Sequence, residues 1–165
     1  MDRPDLVRRL NEYVRPRNLR VGERLGSGVH GIVFTAQSQH QKIWSAVKVH
    51  ESQAGYTRER DIYLELQELG VDFILSCEVP VLLDFDDELL AIEMTIVSRP
   101  FVLDFAGAYL YLPPDFPEEV MAEWRAEKIE QFGARWPDVE AVLRELERLD
   151  IHMVDVNPGN ISFPD

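Results

Sequence analysis

The most informative stretch of the chain is Leu25-Gly26-Ser27-Gly28-Val29-His30-Gly31-Ile32-Val33, a glycine-rich turn between two apolar, β-branched segments. Glycine lets the backbone approach a ligand where any Cβ would clash. The N–H groups of such a turn can also bind phosphate oxygens without help from a charged side chain. The same glycine spacing occurs in plain hairpin turns and in the dinucleotide-binding turn between a strand and a helix. The turn alone therefore leaves three interpretations open.

The residues after the turn argue against a dinucleotide site. Such a site needs a helix directly after the glycines, whereas Ile32-Val33-Phe34-Thr35-Ala36 is β-branched and aromatic and predicts a strand. Another strand is predicted over residues 42–50, where Lys48 lies among apolar neighbours. A lysine in that setting costs desolvation unless it reaches water or meets an anion. Lys48 is thus either an edge-strand lysine or a phosphate-binding group beneath the glycine turn.

The turn ending in Val33 and the strand Ala46-Val47-Lys48 resemble the first two elements of the protein-kinase-like superfamily. The resemblance implies an α+β fold, with an antiparallel five-stranded N-lobe that carries one main helix and a reduced, mostly helical C-lobe. It also implies that ATP binds between the lobes, and that a hinge near residues 93–97 holds adenine by backbone hydrogen bonds. The nucleotide-binding residues that it implies are Gly26, Ser27, Gly28, Gly31, Val33, Ala46, Lys48, Glu93, Met94 and Thr95.

A helix is predicted over residues 56–69, where Ile62 and Leu66 belong to one apolar stripe. Glu59 lies one turn before Ile62, at the edge of that stripe, so its side chain can face the sheet. The resemblance implies that a glutamate of this helix pairs with Lys48 and holds it on the phosphates. Glu59 fits that role best and Glu65 is the second candidate; the alternative is a solvated surface glutamate.

Two further strands are predicted around the acidic turn at residues 84–88. Acidic residues could bind a cation there, but aspartate is also common at hairpin tips. The turn has neither a glycine pivot nor a spaced outer ligand, which calcium loops require. A hairpin tip is therefore the favoured interpretation.

The second chemical cluster is Asp155-Val156-Asn157-Pro158-Gly159-Asn160-Ile161, a polar loop that follows a helix. It resembles the kinase catalytic loop, in which the aspartate orients or accepts the hydroxyl proton and the asparagine binds magnesium (Mg2+). The resemblance thus implies that Asp155, Lys48 and Glu59 are catalytic and that Asn160 is the metal ligand. The alternative is an ordinary turn, since each of these residue types favours turns.

The loop also departs from the kinase pattern. His152 lies three residues before Asp155 instead of two, and Asn157 replaces the basic residue of protein kinases, which favours the small-molecule and atypical branches. No Asp-Phe-Gly follows Asn160, and Asp165 is too close to it to lie on the return strand of a hairpin. The pattern then has one magnesium ligand fewer. In phosphoryl transfer most of the rate acceleration comes from neutralising the charge on the phosphates, which is what the magnesium ion does. Weak or absent activity is therefore expected unless another group supplies the ligand.

Composition limits the class of protein. The 165 residues are 45% hydrophobic, enough to form a core, and their net charge of −13 disfavours nucleic acid and anionic membranes. Cys77 is the only cysteine, which excludes an intrachain disulfide. Neither a transmembrane stretch nor a signal-peptide core is recognised, so a cytoplasmic protein is expected. The prediction is one kinase-like domain over residues 1–165, with an N-lobe and its N-terminal helix at 1–97 and a minimal helical C-lobe at 98–165.

The C-lobe is predicted to be helical after Pro100, with its main helices over residues 117–132 and 137–149. The second helix has one apolar face, formed by Val139, Val142, Leu143, Leu146 and Leu149. The resemblance provides no later helices to cover that face. An exposed apolar stripe usually marks an interface, so a homodimer or a partner protein on this face is expected.

Three functions remain open from the sequence. The first is an ATP-dependent, kinase-type phosphotransferase that acts on a protein or small-molecule hydroxyl. The second is a nucleotide-binding pseudokinase that serves as a regulatory or interaction module. The third, a kinase-like scaffold that binds no nucleotide, would leave both the glycine turn and Lys48 unexplained.

Overall fold

A computed structural model describes residues 3–164, so the prediction that concerns Asp165 lies outside the described residues. The helices are α1 (Pro4–Val14), α2 (Gln53–Glu68), α3 (Glu118–Phe132) and α4 (Trp136–Arg148). The strands are β1 (Leu19–Gly28), β2 (Gly31–Ser38), β3 (Trp44–His50), β4 (Phe73–Ile74), β5 (Cys77–Glu78), β6 (Leu82–Asp86), β7 (Ala91–Met94), β8 (Phe101–Val102), β9 (Ala108–Leu110), β10 (Ile151–Met153) and β11 (Ile161–Ser162). Short 3-10 turns occur at Phe105–Gly107 and Gly133–Arg135.

The main sheet has five strands in the order β1-β2-β3-β7-β6, and every neighbouring pair is antiparallel. The α+β class and the five-stranded antiparallel sheet are therefore confirmed. Gly28 pairs with Gly31 at the end of the β1–β2 hairpin, which makes the glycine-rich stretch the tip of that hairpin. Lys48 pairs with Val33 on one side and Ile92 on the other. Lys48 is consequently on an interior strand, and the edge-strand interpretation is wrong.

Helices cover both faces of this sheet. The apolar side of α1 buries Leu6, Leu10 and Tyr13 against residues of β2, β3 and β7. On the other face, α2 begins at the N-cap Ser52, whose side chain accepts a hydrogen bond from the Gly55 N–H. Helix α2 turns its buried residues, among them Glu59, toward the sheet and the second half of the chain.

The segment after Pro100 differs from the helical prediction. It forms β8, a 3-10 turn and β9. Strand β8 pairs antiparallel with β11 and parallel with β5, while β9 pairs with β10. Asp104, directly before the 3-10 turn, is in the left-handed region, with φ 65° and ψ 69°, a conformation that no helix interior accepts. The composition of this short stretch could not reveal strand partners so distant in sequence.

The apolar face of α4 is covered by the chain itself. Val139, Val142 and Leu146 are buried in the larger hydrophobic core, together with Ile151 and Val102. The predicted apolar periodicity of the helix is present, but the prediction of an uncovered face is wrong because β10 and β4 pack against it. The prediction of a homodimer or a partner protein on this face is therefore left without support.

Helix α3 lies at the periphery and buries none of its residues. Its main anchor is Trp124, whose Nε1 donates to the Val154 carbonyl at 3.1 Å and whose ring packs edge-on against Trp136. Within residues 3–164, no helix has both the length and the apolar character that crossing a bilayer requires.

Candidate functional site

A cavity of about 660 Å³ lies between the main sheet and the second half of the chain, within the size range of ligand pockets. The glycine turn forms its roof, and residues 94–97 line one wall. The structure brings nine of the ten predicted nucleotide-binding residues to this cavity, namely Gly26, Ser27, Gly28, Gly31, Val33, Ala46, Lys48, Met94 and Thr95. Glu59, Asp155 and Asn160 line it as well.

Glu93 is the predicted residue that does not line the cavity. Its side chain is on the α1 side of the sheet, where Oε2 accepts a hydrogen bond from the Tyr13 hydroxyl at 3.1 Å. Its other oxygen, Oε1, accepts one from the Ser45 hydroxyl at 2.7 Å. Successive side chains of a strand point to opposite faces, so Glu93 and Met94 cannot both face the ligand. The sequence prediction for Glu93 concerns its backbone in the hinge segment and stays a prediction, while its side chain belongs to the α1 side of the sheet.

The three glycines of the turn differ in whether the fold itself requires a residue without a Cβ at that position. Gly31 has φ +146°, and a Cβ there would lie 2.1 Å from the Val49 carbonyl oxygen. A Cβ at Gly26 or Gly28 would meet no atom within 4 Å among the described residues. Only Gly31 is therefore needed by the fold, and the open space at Gly26 and Gly28 is free for a ligand.

This difference predicts that Gly31→Ala destabilises the protein far more than Gly28→Ala. We expect the first change to lower the free energy of unfolding by about 2 kcal/mol or more, because of backbone strain and a clash with Val49. The second should stay within about 0.5 kcal/mol, as for other surface changes. Urea denaturation followed by circular dichroism measures both. Equal losses would contradict the assignment of Gly28 to a ligand-facing position.

A buried charge cluster lies beneath the turn. Lys48 is only 4% exposed, and its ammonium is 2.7 Å from Glu59 Oε2 and 2.7 Å from Asp104 Oδ1. Glu59, which is 1% exposed, also meets His50 Nε2 at 2.6 Å. The other ring nitrogen of His50 faces the Leu90 carbonyl at 3.1 Å. Both nitrogens of His50 thus face acceptors and can both donate only when the ring is doubly protonated.

The cluster keeps its charges despite burial. Burial alone would raise the pKa of Glu59, but Lys48 and His50 outweigh it and lower that pKa to about 2. For Lys48, burial opposes the charged form, yet the carboxylates of Glu59 and Asp104 raise its pKa above the usual value. The predicted Lys48–Glu59 pair is thus present as an ion pair, oriented toward the cavity.

Glu65, the second candidate, has another partner. Its Oε2 accepts a hydrogen bond from the Tyr111 hydroxyl at 2.6 Å on the protein surface. The acidic turn is similarly engaged, since Asp84 and Asp86 pair with Arg17. Within residues 3–164, no group of three or more His, Cys, Asp or Glu side chains could hold a metal ion. Strands β6 and β7 form the predicted antiparallel hairpin, but its turn lies at residues 87–90, so Asp84 and Asp86 belong to β6 and not to the tip.

The loop after β10 is held by its own polar groups. Asn160 Nδ2 donates to the Asp155 carbonyl at 2.9 Å, and Asn157 Oδ1 accepts from the Gly159 N–H at 2.9 Å. Asn157 therefore shapes the turn. The Asp155 carboxylate is 39% exposed, and its Oδ2 lies 3.0 Å from Nε2 of His30 in the glycine turn. His152, by contrast, lies on β10 and lines a separate surface groove.

Sequence reasoning missed two residues of the cavity. His30 contacts Asp155, and no pattern in the sequence joins positions so far apart. Asp104 lines the cavity and contacts Lys48. The sequence around it, Asp104-Phe105-Ala106-Gly107, is similar to the Asp-Phe-Gly motif of the kinase pattern and could have identified it. This segment precedes the loop at residues 155–160, whereas the kinase pattern expects the motif after Asn160.

The cavity thus joins the open space beneath a glycine turn, a paired lysine, and a loop with a half-exposed carboxylate that contacts His30 and with a buried amide. Comparison of the chain with protein-family models, with curated proteins and with solved structures finds no significant match.

Proposed function

We propose that the chain binds ATP in this cavity and acts as a kinase-like phosphotransferase toward a protein or small-molecule hydroxyl. The observation that carries the proposal is the meeting of the glycine turn, Lys48 and the loop at residues 155–160 in one cavity. Backbone N–H groups and an ammonium are what a triphosphate needs. A chance meeting of groups so distant in sequence would not also match their order in the kinase pattern.

The wall opposite the phosphate groups suits a purine. Val33, Ala46, Met94 and Leu103 offer apolar surface there, and binding sites are typically apolar with a few directed polar groups. Residues 94–97 line the same cavity, and since the Thr95 N–H already donates to the Val81 carbonyl at 2.9 Å, hydrogen bonds to the base would come from other backbone groups of this segment. This arrangement supports a nucleotide, in preference to a free phosphate, as the ligand.

The donor set fits magnesium. Mg2+ takes oxygen ligands and usually binds through one or two protein groups together with substrate phosphates. Asn160 Nδ2 faces the Asp155 carbonyl, so its Oδ1 remains as the acceptor on the cavity side. The ion, when bound, supplies neutralisation of the phosphate charge. Asn160 would hold it, and Asp155 would orient the acceptor hydroxyl and take its proton.

One contact favours the alternative, a nucleotide-binding pseudokinase. His30 occupies Asp155 Oδ2 in this structure, so an acceptor hydroxyl would have to displace it. A module that binds ATP without transferring phosphate could retain this contact. The two functions share ATP binding and differ in turnover.

We expect ATP to raise the melting temperature of the wild-type chain by about 5–10 °C at roughly 100 times its Kd. Lys48→Met should abolish the shift because the phosphates lose their cation. Lys42→Met, at an exposed lysine of the β2–β3 turn, is the matched control and should leave the shift intact. Differential scanning fluorimetry with and without magnesium is the measurement.

A second variant covers the case in which Lys48→Met fails to fold. Gly28→Val places a branched side chain in the open space beneath the turn, so it should retain the fold and lose the ATP shift. No shift for the wild type would reject nucleotide binding and support a scaffold that binds no nucleotide. An equal shift for wild type and both variants would place the nucleotide elsewhere.

A further inference from the structure

We propose that Asp104 is the carboxylate ligand of the magnesium ion that accompanies the nucleotide, delivered from a segment that precedes the loop at residues 155–160. The inference rests on the proposed ATP site and adds a carboxylate to the predicted ligand Asn160, with the aspartate before the asparagine along the chain.

The strand pair β8–β11 brings the two metal ligands together. Val102 pairs with Ile161 in the antiparallel ladder, and the next hydrogen bond runs from the Leu103 N–H to the Asn160 carbonyl at 2.9 Å. Asp104 follows Leu103 directly. Its carboxylate and the Asn160 amide therefore leave the same end of one ladder, and both line the cavity.

Each side chain has one oxygen left for a ligand. The amide nitrogen of Asn160 is used by the Asp155 carbonyl, which leaves Oδ1. Asp104 uses Oδ1 toward Lys48 and is 24% exposed, which leaves Oδ2 on the cavity side. Amide and carboxylate oxygens are hard ligands of the kind that Mg2+ prefers. Lys48 can also exchange Asp104 for a phosphate oxygen and keep Glu59.

The backbone at Asp104 is in the left-handed region, with φ 65° and ψ 69°, a conformation that aspartate adopts more readily than most non-glycine residues. The next residue, Phe105, is buried and packs edge-on against Tyr63 at 5.4 Å between ring centroids. The left-handed residue thus sends Phe105 into the core and the aspartate into the cavity.

A polar group without a hydrogen bond of normal geometry points to a ligand at the same place. The Tyr63 hydroxyl is buried, lines the cavity and makes no hydrogen bond of normal geometry within residues 3–164, and the polar groups that face it are the Glu59 carboxylate and the Asp104 backbone. Buried hydroxyls are normally paired, and the exceptions call for an unseen water or ion. A hydrated metal beside Asp104 would bring water within reach of this hydroxyl.

The test is isothermal titration of ATP in magnesium and in EDTA. For the wild type we expect magnesium to tighten ATP binding by at least about tenfold, since loss of groups at a metal site costs 10–100-fold. Asp104→Asn should lose this tightening by magnesium but keep the affinity for ATP that is measured in EDTA, because the substitution removes only the carboxylate. Asp150→Asn is the matched control, since Asp150 also has a positive φ of 58° and does not line the cavity. It should behave as the wild type.

The outcomes separate this inference from the proposed ATP site. If magnesium tightens ATP binding by Asp104→Asn as much as by the wild type, the role of Asp104 alone is overturned. The same holds if the wild type binds ATP and magnesium does not tighten that binding. No ATP binding by the wild type in either condition would overturn both. Asp104→Ser is the second variant if Asp104→Asn unfolds. Mn2+ bound per ATP complex, counted by electron paramagnetic resonance, should fall in parallel with the lost tightening.

Discussion

Glu59→Gln is expected to lower the free energy of unfolding by about 3 kcal/mol, near the lower end for breaking a buried ion pair. The substitution leaves Lys48 and His50 buried and close together without the carboxylate that they share. Asp104 still contacts Lys48, which moderates the loss. Equilibrium unfolding in urea at neutral pH measures the effect.

The pH dependence of stability provides an independent check. The pKa of Glu59 is about 2 in the folded protein against 4.5 for the unperturbed group. The stabilisation is therefore fully present above pH 4.5 and is lost as the pH falls toward 2. Its size should be about 3 kcal/mol, from the difference between the two pKa values. The wild type should lose this stability on acidification, and Glu59→Gln should lack that part of the acid transition.

The matched control is Glu65→Gln on the same helix. Glu65 accepts a hydrogen bond from the exposed Tyr111 hydroxyl, so its loss should cost no more than about 1 kcal/mol. Similar losses for the two variants would mean that the buried cluster contributes little, and that Lys48 is held by packing instead of charge.

Local patterns in the sequence were sufficient for the first half of the site. The glycine turn, the apolar strand around Lys48 and the helical spacing that turns Glu59 inward are all read within a few residues. Each of these features is therefore present in the structure. Glu93 is predicted from its position along the hinge segment, which concerns its backbone; strand alternation then explains why its side chain lies on the α1 side of the sheet.

The second half of the site depends on contacts that no local pattern records. Strand β8 has only two residues, and its partners come from β5 and β11. The resemblance placed the metal aspartate after Asn160, so Asp104 was passed over as part of an apolar segment. The α4 stripe was recognised, but periodicity shows that a face is apolar and not which element covers it.

The second prediction is that Asp155→Asn reduces phosphate release from magnesium ATP by about 10²–10⁴-fold, the usual contribution of a general base. The variant keeps the shape of the side chain and the backbone carbonyl that Asn160 contacts, so ATP affinity should be unchanged. Slow transfer to water serves as the readout because it needs the same base as transfer to another hydroxyl. Asp150→Asn, five residues earlier, is the control and should retain the wild-type rate.

The contact between His30 and Asp155 decides how a negative result is interpreted. If wild type and Asp155→Asn release phosphate at the same rate, Asp155 is not the base and the phosphotransferase proposal fails. If neither releases phosphate while both bind ATP, His30→Ala separates two causes. Turnover gained by His30→Ala would mean that the glycine turn blocks Asp155 at a competent site, since His30 Nε2 lies only 3.0 Å from the carboxylate. Continued inactivity would favour the pseudokinase, in which bound ATP stabilises the closed turn and no phosphate is transferred.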